Sequence, residues 1–260
     1  MNVEVNFGNN CNLNCEYCFV KKFDTDLEIS SDYFIKIANW LKNVKIEHFR
    51  PVGGEPTLNI KKIDLFLMNL KSKPKAMTIV TNGTMLEILV KYLKKFYFLY
   101  GIRNITLACS IDRLGYDKYR KIDSFETITK ILELKELYPF INFSINRVVS
   151  DQKEKELEEF NFFMKTHKIS IYSIPLTDEK HKILSSFKEN TEQIKLCGAF
   201  CKTGLYFYKE NIYLCKLCQN IYKKGYLGNL NDDLETILEI RDKYKGCTYE
   251  RLNKGVQNDY

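Results

Sequence analysis

No apolar run in this chain approaches the roughly 18–20 residues needed to span a bilayer, which argues against a membrane helix. The opening Met1-Asn-Val-Glu4 has no basic stretch followed by an apolar one, so a secretory signal is not expected. Both absences predict a cytoplasmic protein, in a compartment where thiols stay reduced. No internal repeat beyond the strand–helix unit is present, and no low-complexity segment. Histidine is scarce: His48, His167 and His181 are the only three, and none has a recognisable acid–base partner in the pattern. Blocks of like charge are also lacking. The net charge is +7, but lysines such as Lys21-Lys22, Lys61-Lys62, Lys94-Lys95 and Lys223-Lys224 have acids between them. That pattern describes a solvated surface and no nucleic-acid groove, while leaving room for an anionic partner.

At 260 residues, with 45% hydrophobic and 13% aromatic content, the chain can bury a sizeable core. Nine cysteines in a reduced compartment point to metal rather than to cross-links. The clearest group is Cys11-Asn-Leu-Asn-Cys15-Glu-Tyr-Cys18, a C-x3-C-x2-C run directly after a short strand. Three thiolates can hold three corners of a cubane iron–sulfur cluster and leave one iron open to a small molecule. A structural zinc site would need four ligands, and an odd number of thiols does not make a disulfide framework.

Alternation at Val3, Val5 and Phe7 predicts the first strand. Ser31-Asp32 opens a helix with Phe34, Ile37, Ala38 and Leu41 on one face. Further strands are expected at 44–49, 77–80, 105–111, 140–149 and 169–174. Helices are expected at 84–100 and 124–138, and from a cap at Asp151 to His167. Six strand-then-helix units predict a parallel sheet with right-handed crossovers, an α/β fold curled into a partial (β/α)6 TIM-like barrel. The cysteine loop, Gly53-Gly54-Glu55-Pro56, Thr81-Asn82-Gly83 and Ser110-Ile-Asp112 all fall at strand C-termini, where such folds gather their chemistry. Residues 1–175 would form this barrel. Residues 176–260 would form a linker and a small cysteine-rich domain, with a hairpin at 204–208 and 212–214 and a helix at 232–244.

The C-x3-C-x2-C run together with Gly53-Gly54-Glu55-Pro56 resembles the radical S-adenosylmethionine (SAM) enzymes. The resemblance implies that Cys11, Cys15 and Cys18 hold a 4Fe–4S cluster whose open iron chelates SAM. Tyr17 matches the position that packs against adenine, although an ordinary buried aromatic also suits it. The resemblance implies that the glycine pair brings the main chain close to the ligand, with carbonyls directed at its ammonium, and that Glu55, Pro56 and Asn82 belong to the same cofactor site. Thr81-Asn82-Gly83 and Ser110-Ile111-Asp112 resemble elements of the peptide-modifying branch, with Arg113 where that branch has glycine. Ser110 and Asn146 are candidates for the ribose hydroxyls, and Asp112 for binding substrate or moving a proton. Each of these also fits a capping or core role. Cys109 fits a small buried hydrophobe, or a hydrogen or proton donor if it faces the barrel lumen.

Cys197-x3-Cys201-x13-Cys215-x2-Cys218, with Cys247 downstream, supplies five more thiols. With Tyr226-Leu-Gly-Asn-Leu230 the segment resembles the SPASM/twitch domains, which implies one auxiliary 4Fe–4S cluster. Cys218 and Cys247 compete for its fourth ligand place, and a four-thiolate zinc site is the rival. The implied activity is reductive cleavage of SAM to a 5′-deoxyadenosyl radical that takes a substrate hydrogen. A low-potential donor such as flavodoxin or ferredoxin would feed the electron. A ribosomally made peptide is the first substrate class, although a chain opening almost directly on strand one is expected to lack a recognition domain ahead of it. A twitch-type small-molecule dehydrogenase, a nucleotide dehydratase and a non-catalytic metal-dependent regulator are the competing readings.

Overall fold

The computed structural model describes residues 1–18, 20, 28–150, 152–175, 204–216 and 225–243. Its centre is a nine-stranded sheet in the order β11-β10-β9-β1-β2-β3-β4-β7-β8. Six strands run parallel as expected: β1 (Asn2–Asn6), β2 (His48–Val52), β3 (Ala76–Thr81), β4 (Asn104–Ser110), β7 (Ile141–Val149) and β8 (Ser170–Pro175). Five helices alternate with them: α1 (Ser31–Trp40), α2 (Ile60–Asn69), α3 (Leu86–Phe98), α4 (Ser124–Leu137) and α5 (Glu154–Thr166). This is the mixed α/β, partial-barrel arrangement that the strand–helix alternation implies. The second strand begins later than its pattern suggests, because Val44 and Ile46 are buried in the connection from α1 before pairing with β1 starts at His48. Lys153 stands at the start of α5, and Asp151, the expected cap, lies outside the described residues.

The strands have two chemically different faces. Val3, Val5, Phe49, Met77, Ile79, Ile105, Leu107, Phe143 and Ile145 are buried in one core with helix residues such as Phe34, Ile63, Phe66 and Leu89. Phe7 joins this layer with its ring tilted against Phe34, centroids 4.6 Å apart, and the Phe49 ring lies 5.1 Å from Phe66. The alternate residues Glu4, Asn6, His48, Arg50, Thr78, Ser110, Ser144 and Asn146 lie on the opposite, concave face. That face is polar, and much of it is only half-buried.

The C-terminal hairpin forms as expected, as β9 (Gly204–Tyr208) and β10 (Asn211–Tyr213) around Lys209-Glu210. Its position was not legible in the sequence: β9 pairs in parallel with β1, so the hairpin and β11 (Tyr226–Asn229) extend the barrel sheet. β1 is therefore an interior strand, which explains why Val3, Glu4, Val5 and Asn6 are all buried. Trp40 of α1 packs 5.6 Å from Phe207 and donates through Nε1 to the Asp232 carbonyl, just ahead of α6 (Leu234–Lys243). A small ribbon, β5 (Tyr116–Asp117) with β6 (Ile122–Asp123), follows β4 and had no counterpart in the sequence reading. Among the described residues, no helix is long and apolar enough to cross a membrane.

Candidate functional site

The cysteine loop leaves β1 and is held down by backbone. Gly54 N–H donates to the Gly8 carbonyl and Glu55 N–H to the Asn10 carbonyl, each at 2.9 Å. A Cβ on Gly53 would stand 2.1 Å from the Gly8 oxygen, and one on Gly54 would stand 2.2 Å from the Asn10 oxygen. The glycine pair is thus needed for a backbone-to-backbone approach. This adds a structural requirement to the close approach to a ligand that the resemblance implies. Gly53 also sits at φ +147°, which compounds the restriction.

Glu55 points into the protein and is buried. One carboxylate oxygen accepts from Thr57 N–H at 3.0 Å, Thr57 Oγ1 at 2.6 Å and Thr81 Oγ1 at 2.7 Å, and the other accepts from Asn82 N–H at 2.7 Å. Both oxygens are spent on protein donors, so Glu55 bolts the β2 turn to the β3 turn. Pro56 is buried as the first residue of a 3-10 turn, Pro56–Asn59. Asn82, expected as a cofactor ligand, reaches back to the cysteine loop. Its amide donates to Asn12 Oδ1 at 2.7 Å and to Cys11 Sγ at 3.8 Å, while its oxygen accepts from Thr84 N–H at 3.0 Å.

Cys11, Cys15 and Cys18 are free and partly exposed. Leu13 N–H donates to Cys11 Sγ at 3.4 Å, and Cys18 N–H closes a turn onto the Cys15 carbonyl at 3.2 Å. Burial pushes the Cys11 and Cys15 thiols up, and the neighbouring cysteines add mutual repulsion. Arg120 pulls Cys15 the other way through its charge and a side-chain hydrogen bond. This buried guanidinium also donates to the Asn82 carbonyl at 3.2 Å. The sequence reading missed it. Nothing in the pattern sets it apart from Arg113 in the same stretch after β4; its backbone is held by Asp117, whose Oδ1 accepts Tyr119 N–H at 2.9 Å and Arg120 N–H at 3.2 Å.

Tyr17 donates its hydroxyl to Asp112 Oδ2, and Asp112 Oδ1 accepts from Val148 N–H at 2.8 Å. Asp112 is buried and anchors Tyr17, the core hydrogen-bonding role that its position also allowed. Burial pushes the Asp112 carboxyl from 3.8 up to about 6, opposed by the bonds from Tyr17 and Val148. Burial raises the Tyr17 hydroxyl as well. Because the folded state holds the Asp112 proton more tightly than the unfolded chain, this stabilisation is full below 3.8 and is lost as the pH rises through about 6. The stability advantage of the apoprotein over Asp112→Asn should therefore shrink between pH 4 and pH 7 in urea titrations.

Ser110 and Asn146 are paired in register on the concave face, half-buried near the same edge. Cys109 is fully buried with Ile105 and Leu107 on the helix-packed side, its thiol pushed up to about 12 by burial. The lumen-facing placement that would make it a donor is not met. Cys215 is buried beside β1, while Cys197, Cys201, Cys218 and Cys247 lie outside the described residues. Among the described residues, no three His, Cys, Asp or Glu side chains converge as ligands of a single ion. A cubane takes one thiolate per iron, so its cysteines stand further apart than the ligands of one metal.

A sequence profile described as the Radical SAM superfamily matches residues 5–164. The chain belongs to that superfamily. It is 30% identical over 136 residues to a GTP 3′,8-cyclase of Clostridium acetobutylicum, covering 50% of this chain and 41% of that protein. The putative peptide biosynthesis protein YydG of Bacillus subtilis is 26% identical over 154 residues, 58% of this chain and 47% of its own length. The chain spans about half the length of several curated relatives it matches, from 41% to 52%. In fold, the radical SAM chain resembles native anSMEcpe with bound AdoMet and Kp18Cys peptide. The TM-score is 0.65 at 18% identity, covering 92% of this chain and 81% of that one.

Proposed function

We propose that this radical SAM chain modifies a peptide, using SAM and a 4Fe–4S cluster held by Cys11, Cys15 and Cys18. One observation carries the reading: three free thiols on a single loop, with hydrogen-bond donors from Asn82 and Leu13 aimed at the Cys11 sulfur and from Arg120 at the Cys15 sulfur. Such donors suit a set of thiolates that must carry charge on a cluster. When bound, cluster and SAM supply a one-electron reductive cleavage that yields a radical able to take a substrate hydrogen.

The protein's own part is placement. Glu55 and Asn82 fix the cysteine loop against β2 and β3, and Arg120 offsets the negative charge gathered at Cys15. Asp112 aims the Tyr17 ring across the edge of the sheet, where it would bound the adenine. Ser110 and Asn146 offer polar groups to the ribose from the concave face. The substrate would lie on that face, whose polar lining suits peptide backbone and side chains more than a lipid. Cys215, with Cys197, Cys201 and either Cys218 or Cys247, would hold the auxiliary cluster in the 176–260 segment. That cluster would accept the second electron of a net oxidation. Support for the peptide comes from YydG by name and from the peptide bound in the fold relative.

A nucleotide substrate is the second reading. It is favoured by the GTP 3′,8-cyclases and by an S-adenosylmethionine-dependent nucleotide dehydratase of Fibrobacter among the relatives. Anaerobically reconstituted protein with dithionite and SAM should release 5′-deoxyadenosine. Mass spectrometry of short peptides encoded beside the gene should then show loss of two hydrogens, or deuterium uptake from solvent without mass loss in H2O. Conversion of GTP or another nucleoside triphosphate with no change in any peptide would replace this reading with the second.

A further inference from the structure

The contact that joins the two cysteine regions falls on the glycine turn. Lys216, immediately after Cys215, donates from Nζ to the Gly53 carbonyl at 3.0 Å across 163 residues of sequence. The lysine is delivered there by β10 and by Leu214 N–H, which donates to the Gly225 carbonyl at 2.8 Å. Cys215 and Lys216 lie close enough to Glu4 for their charges to act on its buried carboxylate, which also holds Arg50 at 2.8 Å. The C-terminal segment therefore abuts the concave side of β1 and β2, directly beside the turn that clamps the cysteine loop.

The turn's backbone N–H groups at Gly54 and Glu55 are used by Gly8 and Asn10, whereas the Gly53 carbonyl faces a cation. A carbonyl has two lone pairs and could in principle accept twice. Two ammonium groups on one oxygen would nevertheless sit within a few ångströms of each other as like charges, in a partly buried site where screening is weak. Occupancy by one cation disfavours the other.

We propose that Lys216 is a placeholder at the Gly53 carbonyl, displaced when the ammonium of SAM binds, so that SAM binding and the docking of the C-terminal cysteine segment are coupled. The proposal rests on the SAM-binding reading above and adds to it a positioning residue from outside the barrel motif. Linkage makes the coupling reciprocal: whatever loosens Lys216 favours the cofactor, and the cofactor loosens the segment that carries Cys215.

The test uses full-chain protein with its clusters reconstituted, titrated with SAM by calorimetry, and hydrogen exchange of residues 211–216 with and without SAM. Lys216→Met should bind SAM about tenfold more tightly, within the usual range of coupling between sites. Lys216→Arg, which keeps a cation, should stay near wild type. In the wild type, exchange at 211–216 should rise on adding SAM; in Lys216→Met it should already be raised and should change little. If Lys216→Met does not fold, Lys216→Gln removes the charge while keeping a donor and makes the same comparison. Equal or weaker SAM binding by the uncharged variants, with wild type binding normally, overturns the placeholder. Failure of the wild type itself to bind SAM, with its cluster confirmed, removes the cofactor reading and the placeholder with it.

Discussion

Cys15→Ala is expected to abolish 5′-deoxyadenosine formation while leaving the apoprotein folded. Cys15 is the middle thiol of the loop, the one that Arg120 contacts, and it is partly exposed. The loop's own hold is independent of the sulfur, since it runs through Gly8, Asn10 and Asn12 to the β2 and β3 turns. Losing one of three thiolates leaves two irons of a cubane without protein ligands, which should release the cluster, a fall of about four irons per chain. Iron analysis, the low-temperature EPR signal of reduced protein, and the cleavage assay should fall together, with circular dichroism unchanged. Cys109→Ala is the contrasting control: it leaves a small cavity in the apolar layer, expected to cost about 1–2 kcal/mol with cleavage intact. Undiminished cleavage by Cys15→Ala would remove it from the ligand set.

The α/β architecture was legible because apolar residues recur with period: Val3 and Val5 on β1 and Phe7 just beyond it, Phe34, Ile37 and Ala38 on a helix. Motif positions were legible because strand C-termini bring separate loops to one edge. Partners across that edge were not. Glu55 reads as a ligand-side acid in the sequence, yet its four donors come from residues 57, 81 and 82, a set visible only after β2 and β3 are adjacent. Arg120 lies in the turn between β5 and β6, and nothing local says that its guanidinium turns back to Cys15 and Asn82. The placement of β9 against β1 escaped for the same reason: local alternation predicts a hairpin, but sheet neighbours some 200 residues apart are chosen by the packing of both faces.

Glu55→Ala should be the most damaging single change outside the cysteines. Two hydroxyl donors, on Thr57 and Thr81, can rotate towards other acceptors, but Thr57 N–H and Asn82 N–H are fixed by the backbone. Hydrogen bonds to a charged group contribute about 1.5–3 kcal/mol each. Losing two such bonds at a buried site therefore predicts a cost of about 3–6 kcal/mol, against a total stability of about 5–15 kcal/mol for a typical domain. Glu55→Gln separates the bolt from the bulk. Its amide oxygen can still serve the threonine side, but its NH2 must then face Asn82 N–H, donor against donor. The loss should be about 2–3 kcal/mol and concentrated where Asn82 grips Asn12 and Cys11. Cluster retention in Glu55→Gln should accordingly fall further than global stability does, as read by iron content after gel filtration beside urea titration of the apoprotein. A glutamine variant with wild-type stability and full iron would show that the carboxylate does not hold the two turns together.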